Sequence, residues 1–221
     1  MAIARRSCTL AGMKVAEAYE IWSTSYDTDR NLTRDLDEEM SRLLLQGRRW
    51  SSILELGCGT GKNTRWLSQI GDRVRAMDFS PAMIERAGQK AAFENVTFTV
   101  ADLTGSWPIA AGSIGLISCN LVLEHISDLR PVFAEAARVL SADGEFLVSE
   151  LHPFRQYQGV QARFEHNGGT IAIPAFVHHV SDFLDAAAGA NLSLQRLDEW
   201  WHTEDEGKPP RLISFMFRKS E

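Results

Sequence analysis

Residues 53 to 64 read ILELGCGTGKNT: a short apolar run carrying Glu55, followed by glycines at 57, 59 and 61. Nothing else in the chain limits its fold as tightly. Without β-carbons the backbone can turn sharply, so a strand can end there, a helix can begin, and a ligand can lie against the chain. The spacing then separates ligand classes. A dinucleotide fingerprint GxGxxG counted from Gly57 needs glycine at 62, where Lys62 stands. A Walker loop needs glycine five positions before the Gly61-Lys62 pair and Ser or Thr after it, but the chain has Leu56 and Asn63. What remains is ExGxGxG, with a helix N-terminus behind it able to meet a carboxylate.

Short apolar, β-branched runs recur at 51–56, 73–79, 96–101, 114–120 and 144–151. Helix-like segments lie between them, at 62–71, at 80–93 with Ser80 as cap and Pro81 in the first turn, and at 128–140 with apolar Leu129, Val132, Phe133, Ala136, Val139 and Leu140. Strand alternating with helix predicts a doubly wound, mostly parallel α/β sheet, and 221 residues suit a single domain. Ligands in such sheets bind beyond the carboxyl ends of the strands. Three of those ends carry an acid, Glu55, Asp78 and Asp102, spaced by about one strand-helix unit, which predicts three carboxylates side by side along one crevice. Such an edge suits a ligand with hydroxyl and amino groups rather than a pyrophosphate.

Charge narrows the partners. With 23 Lys and Arg against 29 Asp and Glu, the formal net charge is -6, so no nucleic acid is expected. Cys8, Cys58 and Cys119 are odd in number and lack metal-ligand spacing, which predicts free thiols, no metal and a reducing cytoplasm. The first fourteen residues contain no apolar run long enough for a signal peptide, and no later stretch reaches membrane-span length, so no membrane association is expected.

ELGCGTG, AMDFSPAMIERA, VTFTVADLTGSWPI, ISCNLVLEHI and RVLSADGEFLVSE together resemble, in order and spacing, the class I S-adenosylmethionine-dependent methyltransferases, in particular the small single-domain members related to quinone-biosynthesis C-methyltransferases. The resemblance runs from about Ile53 to Glu150. It implies a Rossmann-like, mostly parallel seven-stranded sheet with an antiparallel last strand, the final two strands lying antiparallel at the sheet edge, and S-adenosyl-L-methionine as cofactor. It assigns Glu55, Gly57, Cys58, Gly59 and Gly61 to the loop around the methionine part, Asp78 to the ribose hydroxyls, and Asp102 with the Leu103 backbone to the adenine. Met77 or Phe79 would lie on the adenine face, with Met83 also among the contacts, and Asn120 and Leu121 would form the floor beneath the sulfonium. Tyr19, Trp22 and Tyr26 resemble the family's covering segment. Each assignment has a plainer alternative: a tight turn for the glycines, a helix cap for Asp78, a turn residue for Asp102, an ordinary core stripe for Tyr19 and Trp22, and helix packing for His125. Lys62 is expected in solvent.

The single domain then divides into covering helices (1–50), a cofactor-binding core (51–151), a substrate lid (152–180) and a C-terminal helix with edge strands (181–221). ARFEHNGGTIAI reads as a hairpin turning at Asn167-Gly168, placed over the methyl group as a partial lid. His152, Phe154, Arg155, Tyr157, His178, His179, Trp200 and Trp201 are expected to gather at its mouth, around a small, flat or partly aromatic methyl acceptor. His152 is the first candidate for a general base, with His178, His179 and Glu150 as alternatives. A non-catalytic cofactor-binding domain and a nicotinamide-dependent oxidoreductase are the competing functions. A monomer or homodimer is expected.

Overall fold

The computed structural model describes residues 15–23, 25–90 and 93–220. Cys8, the leader reading of residues 1–14, and the last turn predicted through Ala91 and Ala92 lie outside the described residues. In chain order the elements are α1 (Val15–Trp22), α2 (Leu32–Leu45), β1 (Ile53–Leu56), α3 (Thr64–Ile70), β2 (Val74–Asp78), α4 (Pro81–Lys90), β3 (Val96–Val100), β4 (Ile114–Asn120), α5 (Arg130–Val139), β5 (Leu140–Leu151), α6 (Pro153–Tyr157), β6 (Arg163–His166), β7 (Gly169–Ala172), α7 (Val180–Gly189), β8 (Leu192–Trp200) and β9 (Leu212–Lys219). The main sheet runs β3-β2-β1-β4-β5-β9-β8, with β1 to β5 parallel. The sequence order reverses between β1 and β4, which opens a crevice at their carboxyl ends.

Alternation along the strands divides the core between the two faces of the sheet. Leu54, Leu56 and Ile117 pack with Phe133, Phe146, Phe183, Phe215 and Phe217 on one face, where the Phe215 and Phe217 rings stack at 5.7 Å. Ile53, Leu116 and Leu147 pack with Leu45, Trp66 and Leu67 on the other. Ser80 starts α4 as predicted, its hydroxyl accepting from the Met83 N–H at 3.2 Å.

The last strand is antiparallel as expected, and it lies inside the sheet with β8 at the edge. Only β9 runs antiparallel to its neighbours; β8 pairs antiparallel with β9 and so points the same way as the parallel strands. The residues explain the order. LISFMF in β9 is buried at every position and fits the sheet interior, whereas LSLQRLDEW in β8 is mostly exposed and fits an edge. Trp200 covers this edge beside Leu36, Met40 and Leu212, its indole donating to Ser214 Oγ at 2.8 Å.

Candidate functional site

A cavity of about 310 Å³ lies beyond the carboxyl ends of β1, β2 and β4. β1 ends at Leu56 and the chain turns at once, with φ of +67° at Gly57 and +52° at Gly59. A β-carbon on Gly57 would stand 2.2 Å from Val122 Cγ2, so the turn after β1 can lie on the loop after β4 only without a side chain. At Gly59 a β-carbon would meet nothing within 4 Å, because this face of the turn borders the cavity. The Gly59 N–H donates to Asp78 Oδ2 at 2.8 Å and the Ser80 N–H to Oδ1 at 2.9 Å. Asp78 is therefore fixed by two backbone donors, yet it still borders the cavity, and each oxygen keeps a lone pair for a donor arriving from that side. Burial pushes its pKa up.

Asp102, Leu103 and Phe79 border the same cavity. Asp102 is exposed, with Oδ1 accepting from the Thr104 N–H and hydroxyl, each at 2.8 Å, so it is a turn residue and a cavity residue at once. The floor holds Asn120 and Leu121. Asn120 Nδ2 donates to Asp37 Oδ1 and Ser41 Oγ, both at 2.9 Å, so α2 orients it. Across the cavity stand Tyr19, Tyr26 and His125. His125 Nδ1 lies 2.9 Å from the Pro174 carbonyl, which can only accept, so that nitrogen carries the proton; Nε2 lies 2.8 Å from the Tyr19 hydroxyl and takes its hydrogen bond. His125 is thus the histidine of this cavity, and its place directly after β4 in ISCNLVLEHI was the available signal.

Several expected residues lie elsewhere. Glu55 is one position short of the strand end and points beneath the glycine turn, where it accepts from Thr64 Oγ1 at 2.5 Å; burial pushes its pKa up to about 8. It borders a separate small cavity with Cys58 and Asn63, so the three acids do not line one edge. Gly61 lies in the turn with φ +83° and borders neither this cavity nor Asp78. Met77 and Met83 are buried in the interior. Lys62 pairs with Asp35 and Glu38.

The expected mouth cluster forms in part but away from this cavity: His152, Phe154, Tyr157 and His179 follow one another in ring contacts of 5.2, 6.2 and 5.7 Å, and none of them lines it. His152 is buried, Nε2 facing Glu199 Oε1 at 2.8 Å and Nδ1 accepting from the Phe154 N–H at 3.1 Å, so both nitrogens are engaged and α6 is capped; burial lowers its pKa. His178 faces the Ile126 carbonyl at 2.8 Å, and His179 begins α7 with Nδ1 at 2.6 Å from the Tyr157 hydroxyl. Arg155 pairs with Asp205, and Trp201 donates to the Lys208 carbonyl. None of these borders the cavity. Each polar side chain is taken by a partner away from the cavity, on its own segment, on the C-terminal strands or, for His178, on the loop after β4.

The hairpin forms as expected, with Asn167 and Gly168 at φ +49° and +77°; it packs on Ala18 and Trp22 of α1 and does not line this cavity. Phe164 stacks on Trp22 at 5.1 Å and 9°, with Ala18, Ile171 and Ile173 around them. Trp22 therefore serves hairpin docking and a second cavity, of about 300 Å³, which shares Tyr19, Tyr26 and Leu121 with the first and is closed by residues 160–163.

Glu150 lies beneath this junction. Its Oε1 accepts from the Val122 N–H at 2.9 Å and the Leu123 N–H at 2.7 Å, while buried Oε2 has no partner. Burial and the nearby Glu124 push its pKa up to about 8. Because the folded state holds this proton more tightly than the unfolded chain, the stability it contributes is full below the ordinary carboxyl range and is lost as pH rises toward 8. Glu150→Gln is therefore expected to gain about 1–3 kcal/mol over the natural protein at pH 8 and little at pH 5. Urea denaturation at both values checks this; a difference independent of pH would count against it.

Among the described residues no group of three or more His, Cys, Asp or Glu could hold a metal ion, and no helix is long and apolar enough to cross a membrane. Cys58 and Cys119 are buried free thiols whose pKa burial raises.

Comparison with known proteins agrees with this geometry. A family model described as a methyltransferase domain matches residues 54–148. The chain is 33% identical over 177 residues to a malonyl-[acyl-carrier protein] O-methyltransferase of Hahella chejuensis, covering 78% of this chain and 59% of that protein. It thus spans less than two thirds of that relative. The N-methyltransferase NodS of Bradyrhizobium japonicum, solved with S-adenosyl-L-homocysteine, superposes with a TM-score of 0.72 at 18% identity, over 95% of this chain and 100% of NodS, a likeness of fold. An uncharacterized methyltransferase of Emericella nidulans is 30% identical over 226 residues, covering 84% of this chain and 78% of that protein. With motifs, sheet order and sequence relatives in agreement, the chain belongs to the class I S-adenosylmethionine-dependent methyltransferases.

Proposed function

We propose that this chain transfers the methyl group of S-adenosylmethionine to a small-molecule acceptor held in the second cavity. The observation that carries the reading is the junction: two cavities of similar size meet at one wall of Tyr19, Tyr26 and Leu121, with the Asp78 carboxylate and the bare glycine turn on one side. The residues fit the cofactor. Asp78 would accept from vicinal ribose hydroxyls, Asp102 from the adenine amino group beside the Leu103 backbone, with Phe79 against the ring, and the open face at Gly59 leaves room for the methionine part. When bound, the cofactor supplies an electrophilic methyl group on a sulfonium. The protein's part is to align the acceptor in line with it and to exclude water.

Where the acceptor must lose a proton, Tyr19 and His125 replace His152 as the groups that move it. Tyr19 lines both cavities and its hydroxyl points its hydrogen at His125 Nε2, so it would take a proton from the acceptor as its own passes to the imidazole. The Pro174 carbonyl holds the ring in the tautomer that accepts. Burial raises the Tyr19 pKa, which keeps the hydroxyl protonated at rest. Incubation with labelled S-adenosylmethionine and a panel of small acceptors, alongside calorimetry with S-adenosylhomocysteine, tests the reading; absence of binding would overturn it. Tyr19→Phe is expected to reduce turnover about 100-fold with a much smaller change in S-adenosylhomocysteine affinity. His152→Ala, by contrast, should cost about 0.5–2 kcal/mol of stability through the lost cap and leave the pH dependence of the rate unaltered. Full turnover by Tyr19→Phe would remove the relay.

A further inference from the structure

We propose that the acceptor carries an anionic group, a carboxylate or a phosphate, and that Arg34 and Arg163 bind it in the second cavity; this rests on the methyl-transfer reading above. Four arginines border that cavity, Arg30, Arg34, Arg163 and Arg211, and one acid, Glu124. Two of the four are neutralised. Arg30 pairs with Glu204, and Arg211 pairs with Asp205, which it shares with Arg155.

Arg34 and Arg163 are different. Among the described residues neither has a carboxylate within ion-pair distance. Arg34 is held instead by neutral carbonyls, donating to Tyr26 at 2.5 Å and Asp29 at 3.0 Å, with its guanidinium carbon 4.0 Å from the centre of the Tyr26 ring. Carbonyls and a ring face fix the fork in place without cancelling its charge, which is the arrangement that suits a bidentate acid. The Tyr26 ring it rests on belongs to the wall shared with the first cavity, so an anion on Arg34 would sit close to the junction. Arg163 starts the hairpin at the opposite side, exposed and free to turn inward. The one acid, Glu124, is buried with partners of its own, lying 3.7 Å from His125 Nε2 and accepting from Gln156 Nε2 at 3.3 Å, and pairs with neither arginine. In a chain of net charge -6, two guanidinium groups in one cavity without a carboxylate in ion-pair contact form a local exception that favours negative ligands.

The test uses the full chain saturated with S-adenosylhomocysteine, titrated calorimetrically with benzoate, with phenyl phosphate and with the neutral isostere benzamide. At least one anion is expected to bind at least 10-fold more tightly than benzamide, and the tighter of benzoate and phenyl phosphate identifies the group. Arg163→Glu, at an exposed position, should weaken that anion 10-fold or more while S-adenosylhomocysteine affinity stays unchanged. Arg34→Lys, which keeps the charge but loses the fork, should weaken it less than Arg34→Gln does. Benzamide binding as well as the anions, no saturable binding of either anion, or indifference to Arg163→Glu would each overturn the proposal. Loss of S-adenosylhomocysteine binding in the natural protein would instead overturn the methyl-transfer reading beneath it.

Discussion

Asp78→Ala is expected to weaken both S-adenosylmethionine and S-adenosylhomocysteine by about 1.5–3 kcal/mol, roughly 10- to 150-fold, the scale of hydrogen bonds to a charged group. Two losses combine. The carboxylate no longer accepts from the ribose, and the Gly59 and Ser80 N–H groups lose the acceptor that ties the glycine turn to the start of α4. Asp78→Asn separates them, because its one remaining oxygen can hold a backbone donor but cannot serve all four; its affinity should fall between the natural protein and the alanine variant. Burial raises the Asp78 pKa, so the ionised form that accepts from the ribose gives way as pH falls, and cofactor affinity should decline on the acid side. Calorimetry across pH checks all three. Unchanged affinity in a folded Asp78→Ala protein would remove the ribose assignment.

Gly57→Ala should be the most damaging single change. At φ +67° an L-residue costs roughly 1–2 kcal/mol, and the added β-carbon would stand 2.2 Å from Val122 Cγ2; turning the valine to place its hydrogen there still leaves Cγ1 at 3.2 Å and Cβ at 3.3 Å, tight contacts that must give. Overpacking of this kind adds about 1–3 kcal/mol, giving an expected loss of about 2–5 kcal/mol in stability together with the cofactor site. Val122→Ala in the same chain removes both methyl groups and should restore the packing part but not the backbone strain. Thermal unfolding and binding of the single and double variants measure the two parts separately. A Gly57→Ala protein as stable as its parent would show that the turn has room the geometry denies.

The parallel core was legible because it is local. Strand and helix periods, Ser80-Pro81 as a helix start and Asn167-Gly168 as a turn are each written in a few neighbouring residues, and the glycine spacing alone set aside two nucleotide fingerprints. Asp78 and Asp102 could be placed at the cavity for the same reason, since a strand end in a parallel sheet has one destination. Glu55 failed by one position: an acid one residue inside the strand points under the turn rather than out of it. The order of β8 and β9 required weighing burial along two whole strands against each other.

The substrate side was a matter of tertiary structure. His152, His178 and His179 are spaced in sequence as plausibly as His125, and nothing local says that Glu199 and the Ile126 carbonyl take the first two while Pro174 and Tyr19 aim the fourth. The pairings that decide it join residues 47, 52, 49 and 106 positions apart. By itself the sequence determined the first cavity's glycine turn and the acids Asp78 and Asp102 beside it, because each follows directly from a strand end. Only the tertiary structure decided the second cavity, where side chains from α1, the loop after β4, the hairpin and the last strands compete for partners, and a polar group's surroundings follow from which partner it reaches first.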